Sequence, residues 1–141
     1  MGKILCATRG GEASYRTQDA AIALAQERGD ELLFLYVVDI KFLDKTARAV
    51  RPDVVTTEME KMGEFLLAMA QERALAQGVP ADYILSHGNL RDELKAAARR
   101  SDVTMVVLGK PAGAESAFVP ASLEAFAAEI EAETGTPVCI L

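Results

Sequence analysis

The residues best suited to hold a ligand lie late in the chain. Gly109-Lys110-Pro111-Ala112-Gly113 is a glycine-bracketed run directly after the apolar stretch 103–108, and Ala121-Ser122 follows it at the predicted start of a helix. Free N–H groups at a helix N-terminus, with a hydroxyl beside them, are a common physical means of holding phosphate. Lys110 in the run and Arg9 near the start of the chain are cations that could flank such an anion. Pro111 removes one N–H donor from the run, and Pro120 fixes the backbone just ahead of the helix. Ala121 carries a Cβ, which costs about 1 kcal/mol where a backbone must adopt positive φ.

Other reactive side chains lack the company that chemistry requires. His87 is the only histidine, and no Ser or Cys with a third orienting group is indicated near it, so it is expected to contact backbone at a turn. Cys6 and Cys139 lie far apart without a CxxC, which leaves neither a metal site nor a redox pair its ligands. Both are expected to be small buried apolar residues. Asp92-Glu93 and Arg99-Arg100 suit the first and last turns of a helix by their sign. The paired carboxylates of a glycosidase are not identifiable. No catalytic residue and no metal ligand is therefore assigned.

The chain has 141 residues, 50% hydrophobic and 26% charged, as one globular domain would. Fifteen Lys and Arg against twenty-one Asp and Glu give a net charge of −6, the wrong sign for a nucleic-acid or anionic-membrane partner. The imbalance is local: residues 101–141 hold one basic side chain, Lys110, against six acidic ones. The opening MGKILCATRGG has too short an apolar run for a signal peptide, and no stretch approaches the roughly 18 apolar residues of a membrane span, so a cytoplasmic location is expected.

The elements that must position these residues alternate. Apolar runs at 3–8, 31–38, 82–87, 103–108 and 138–141 read as strands of a sheet covered on both faces. Between them, helical spacing and stop signals predict helices from an N-cap at Ser14 to Arg28-Gly29, over 53–77, over 90–100 behind Asn89, and over 121–133. Val55, Met59, Met62, Leu66 and Met69 recur at steps of three and four and are expected to pack into the core. Segment 39–52, with Lys41, Lys45, Arg48 and Arg51, exceeds an ordinary βα turn and could fold over a site as a lid whose charges offset the acidic C-terminal segment. The order β-α-β-α-β-α-β-α-β specifies an α/β fold: a single-domain, open, parallel five-stranded sheet with right-handed crossovers and helices on both faces, Rossmann-like. In such a sheet ligands bind outside the carboxyl ends of the strands, where strand order reverses. That rule selects 7–11, 38–41, 87–89 and 109–122.

The set of pieces in this order and spacing resembles the universal stress protein family. Lys3–Ser14, KILCATRGGEAS, is similar to the family's opening strand and loop; LFLYVVD at 33–39 to its second strand; His87-Gly88-Asn89 and DVTMVVLG at 102–109 to its third turn and fourth strand; and GTPVCIL at 135–141 to its close. The resemblance covers almost the whole chain and implies the strand order 3-2-1-4-5. That order places strand four between Cys6 and Cys139, too far apart to bridge.

The resemblance also implies a function and a site. ATP-binding members carry Gly-x2-Gly-x9-Gly-Ser/Thr after the fourth strand, and this chain reads Gly109-x3-Gly113-x7-Ala121-Ser122. Where the family's Asp meets the adenosine part of the ligand, this chain has Arg9. The implied cleft comprises Ala7, Thr8, Arg9, Gly10, Val38, Gly109, Lys110, Gly113, Ala121 and Ser122, and its ligand would be ATP, with Mg²⁺, or AMP. The implied role is binding and signalling under stress, with at most a slow ATP hydrolysis as in some relatives. Two other readings stand beside it: a nucleotide-free interaction protein of the same family, and a nucleotide-dependent enzyme of a related doubly wound fold. The terminal strand Val138–Leu141 has no polar gatekeeper, so an apolar sheet edge would be exposed unless a second copy paired with it; the resemblance points to the same homodimer.

Overall fold

A computed structural model describes residues 2–8, 12–39, 52–109 and 120–141. Among these residues five strands, β1 (Lys3–Ala7), β2 (Glu31–Val38), β3 (Ala81–His87), β4 (Val103–Leu108) and β5 (Val138–Ile140), alternate with four helices: α1 (Glu12–Arg28), α2 (Pro52–Ala76), α3 (Leu90–Ala98) and α4 (Pro120–Thr134). All pairings are parallel, and the sheet order is β3-β2-β1-β4-β5. The expected fold and strand order both hold.

The apolar runs are continuous because each strand feeds two cores. In β2, Leu32, Phe34, Tyr36 and Val38 point into a cluster with Ala21, Ile22 and Ala25 of α1 and Leu67, Ala70 and Ala74 of α2. Leu33 and Leu35 point the other way, toward Leu94 and Ala97 of α3 and Phe126 and Ile130 of α4. Among the described residues, α1 and α2 thus cover one face and α3 and α4 the other. Full burial of a side chain such as Phe34 or Leu35 stabilises by about 1.5–3 kcal/mol each.

Helix ends follow local chemistry. Asn89 caps α3, its Oδ1 accepting from the Asp92 N–H at 2.8 Å. After α2, Gly78 takes φ +78° and the Val79 N–H donates to the Ala74 carbonyl, a Schellman stop that needs a residue free of Cβ strain. Just past the end of α3, Arg100 grips Asp102 with two hydrogen bonds of 3.0 Å. Ser14 lies inside α1 rather than at its cap, because the helix begins at Glu12.

The methionine stripe of α2 is corrected. Met62 is 60% exposed, Phe65 64% and Met69 36%, so Met62 and Met69 do not pack into the core. The buried face runs through Gly63, Leu67, Ala70 and Ala74, with Val55, Met59 and Leu66 partly buried at its margin. Small residues let the helix lie close: a Cβ on Gly63 would fall 2.5 Å from Tyr36 Cδ1 and 2.7 Å from Leu85 Cδ1. Met62 and Met69 sit one residue out of phase with that contact line, about 100° round the helix.

The cysteines divide. Cys6 is fully buried and desolvation pushes its thiol up to about 12, so it stays protonated at neutral pH. Cys139 on β5 is only half-buried, a correction to the expectation of full burial. Cys6 pairs with Val107 and Val107 with Cys139, so the two are two strand spacings apart, roughly 9–10 Å. That exceeds disulfide reach.

Candidate functional site

Strand order reverses between β1 and β4, because β1 leads outward to β2 and β3 on one side while β4 starts the other. This point is framed by the residues that leave the two strands. Thr8 follows β1, is 2% exposed, and donates its N–H to the Leu35 carbonyl of β2 at 2.8 Å. Gly109 follows β4. Val38 ends β2 fully buried, and its carbonyl accepts from the Gly88 N–H at 3.0 Å, which ties the turn after β3 to the end of β2. Ala7 is half-buried beside them.

Two consecutive residues of α1 close on this point from one side. Gln18 Nε2 donates to Thr8 Oγ1 at 2.7 Å, wholly within the protein. Thr17 lies so close to Gly109 that a Cβ on the glycine would overlap the Thr17 hydroxyl. Glycine is therefore required at 109 by the approach of α1 to the end of β4, which is the close helix–strand packing seen in dinucleotide-binding folds. Among the described residues the buried amide oxygen of Gln18 has no hydrogen-bond partner. Such an acceptor typically costs 1–3 kcal/mol.

Of the residues singled out by sequence, Ala7, Thr8, Val38 and Gly109 are brought to one end of the sheet. Ala121 and Ser122 fall in the first turn of α4, the element whose N-terminal amides the phosphate reading needs. Arg9, Gly10, Lys110 and Gly113 lie outside the described residues, as do Lys41, Lys45, Arg48 and Arg51 of the expected lid. His87 ends β3, the edge strand, and its Nε2 lies 3.5 Å from Glu60 Oε1 of α2, so its partner is a carboxylate and not the backbone contact expected of it.

Thr17 and Gln18 escaped the sequence reading. Their signal was phase: both fall on the buried side of α1 with Ala21, Ile22 and Ala25, where a polar side chain is out of place. A groove of about 450 Å³ between α1 and α2, lined in part by Ile22, Gln26, Arg73 and Gln77, is a separate feature. Its cation is occupied, since Arg73 pairs with Asp19 and stacks over the Tyr15 ring at 4.9 Å. Among the described residues no cluster of His, Cys, Asp or Glu could hold a metal ion, and no helix is long and apolar enough to cross a membrane.

Comparison with known proteins places this architecture. The model of the universal stress protein family matches residues 1–136. The universal stress protein YxiE of Bacillus subtilis (strain 168) is 31% identical over 116 residues, 77% of this chain and 78% of that protein. A universal stress protein family structure from Burkholderia pseudomallei superposes with a TM-score of 0.75 at 22% identity, covering 99% of this chain and 95% of that one. A universal stress protein in complex with cAMP has a TM-score of 0.63 at 20% identity, covering 99% and 95% of the two chains. One from Archaeoglobus fulgidus in complex with dAMP has a TM-score of 0.63 at 15% identity, covering 99% and 96%. The structural likenesses carry the fold, while the family match over nearly the full length and the relative above 30% identity carry descent: the chain belongs to the universal stress protein family.

Proposed function

We propose that this universal stress protein senses an adenine nucleotide, ATP with Mg²⁺ or AMP, in the crevice between the ends of β1 and β4, and signals by binding and not by turnover. The observation that carries the reading is topological: the order β3-β2-β1-β4-β5 puts Thr8 and Gly109 side by side at the reversal point, where parallel α/β sheets bind ligands. Ala7, Thr8, Arg9, Gly10 and Val38 would meet the adenosine part. Gly109, Lys110, Gly113, Ala121 and Ser122 would meet the phosphates, through loop amides, the amides at the start of α4, the Lys110 ammonium and the Ser122 hydroxyl. Related proteins in complex with cAMP and dAMP support an adenine ligand.

The test is a thermal shift with ATP, ADP, AMP and cAMP, each with and without Mg²⁺, on protein first freed of carried-over nucleotide. Ligand at 100 times its Kd stabilises by about 2.7 kcal/mol, a shift of several degrees for a domain of this size. A selective shift supports the reading, and no shift with any of the four ends it.

The protein works as a homodimer in this reading. β5 is a three-residue edge strand whose Val138, Cys139 and Ile140 are half-buried, and pairing with a second copy would complete it. A concentration-independent monomer mass in sedimentation at micromolar protein would refute the dimer. The second reading, a nucleotide-free interaction protein of the same family, is favoured by the exposed Met62, Phe65 and Met69 of α2. It predicts no nucleotide shift and loss of partners when those three are made polar.

A further inference from the structure

Five polar or charged side chains are buried among the described residues: Thr8, Thr17, Gln18, Lys95 and Thr136. Two have plain structural duties. The Lys95 ammonium lies 3.0 Å from Glu129 and 2.5 Å from Glu133, joining α3 to α4, and the Thr136 hydroxyl donates to the Ala98 carbonyl at the end of α3. The other three gather at the exits of β1 and β4. Among them Gln18 is the anomaly, because within the described residues its amide makes one hydrogen bond, to Thr8, and leaves its oxygen buried and unpaired. Its neighbours on the same face, Ala21, Ile22 and Ala25, are apolar. An apolar residue of similar length would fill the same space and remove the orphan oxygen, though it would also take the donor from the buried Thr8 hydroxyl.

We infer that Gln18 is a positioning residue for the nucleotide crevice, kept despite its orphan oxygen because it holds the exit of β1 in place. The inference rests on the nucleotide reading above. Thr8 is anchored twice: its N–H to the Leu35 carbonyl fixes it to β2, and its hydroxyl, accepting from Gln18, fixes it to α1. With Thr17 against Gly109, one turn of α1 therefore sets both strand exits that face the ligand. The Thr8 side chain is buried and engaged by Gln18, so Gln18 acts on a ligand only through the backbone it holds. Buried polar groups that are incompletely satisfied and lie beside a site are where stability is given up for function.

The experiment compares wild type with Gln18→Leu, with Gln18→Met as the second variant should the first fail to fold. Expected are a melting temperature close to wild type, since the orphan oxygen removed offsets the Thr8 hydroxyl left without its donor, and a nucleotide affinity about tenfold weaker, read by titration of whichever of ATP, ADP, AMP or cAMP shifts the wild type. A purely structural role predicts the reverse pattern: a lower melting temperature and unchanged affinity, which would overturn the inference. Thr8→Val must be non-additive with Gln18→Leu, since both remove the same bond; additive losses would overturn it too. A readout without ligand separates this claim from the nucleotide reading. Hydrogen exchange at the Thr8 amide should quicken at least tenfold in Gln18→Leu without a fall in global stability. If wild type takes up no nucleotide, the functional reading fails and Thr8 exchange alone decides whether Gln18 positions the β1 exit; unchanged exchange sinks it.

Discussion

Thr17, on the second turn of α1, lies directly against Gly109 at the end of β4, although the two are 92 positions apart in sequence. The contact brings the first helix of the fold to the exit of its fourth strand. Here α1 closes against the sheet at the point where strand order reverses.

That contact predicts a specific epistasis. Gly109→Ala forces a Cβ into the Thr17 hydroxyl and should destabilise by about 1–3 kcal/mol, the range for overpacking. In a Thr17→Ala background the same change should cost clearly less, because the obstructing oxygen is gone. Urea denaturation of the four proteins of the cycle measures the coupling. Equal costs in the two backgrounds would show that Gly109 is needed for some other reason.

Stability should fall at both ends of the pH range through named pairs. Arg100 holds the Asp102 carboxyl below its usual value, and Arg28, with the Gly2 N–H, does the same for Asp30. A carboxylate whose folded pKa is depressed contributes stability above its unfolded value of about 3.9, and this is lost as pH falls through the lower folded value. Glu133 and Glu129 raise the Lys95 ammonium, and Asp82 raises Lys3. Those contributions are complete below about 10.4 and are lost as pH rises through the higher folded values. Denaturation midpoints from pH 2 to 12 test the profile; Arg100→Gln should flatten the acid limb and Lys95→Gln the alkaline one.

The α2 face separates two readings of one stripe. Replacing Met62, Phe65 and Met69 by Gln should change stability by no more than about 0.5 kcal/mol each, since all three are exposed. Leu67→Ala, which empties a fully buried site on the same helix, should cost about 2–5 kcal/mol. Thermal melts of the two variants check this. A comparable loss from both would restore the expectation that the methionines are core.

Gly63 offers a sharper probe of how closely α2 lies on the sheet. Alanine favours a helix interior by up to about 1 kcal/mol over glycine, yet here its Cβ would meet the Tyr36 ring and Leu85. The clash should win, so Gly63→Ala is expected to lower the melting temperature. A rise would mean that α2 can lift from β2 and β3 without loss.

The architecture was legible because its causes are local and repeated. Continuous apolar runs such as Leu32–Val38 mark strands covered on both faces, Asn89 marks a helix start, and Gly78 a stop. Periodicity gave the existence of α2 but misjudged its buried face. Phase is set by where small residues let a helix touch the sheet, and Met62 differs from Gly63 by a single step. Likewise His87 was visible as a strand-end residue, but its partner Glu60 lies on a helix that arrives from elsewhere.

The sequence by itself determined the element order, the family, and the four strand-exit segments, because each depends on residue types within a few positions of one another. Only the tertiary structure decided what those exits are built from. Thr17 and Gln18 read locally as ordinary polar residues of a helix; packing of α1 against β1 and β4 buries them, removes water as a partner, and so turns one into a constraint on Gly109 and the other into an unpaired acceptor behind Thr8.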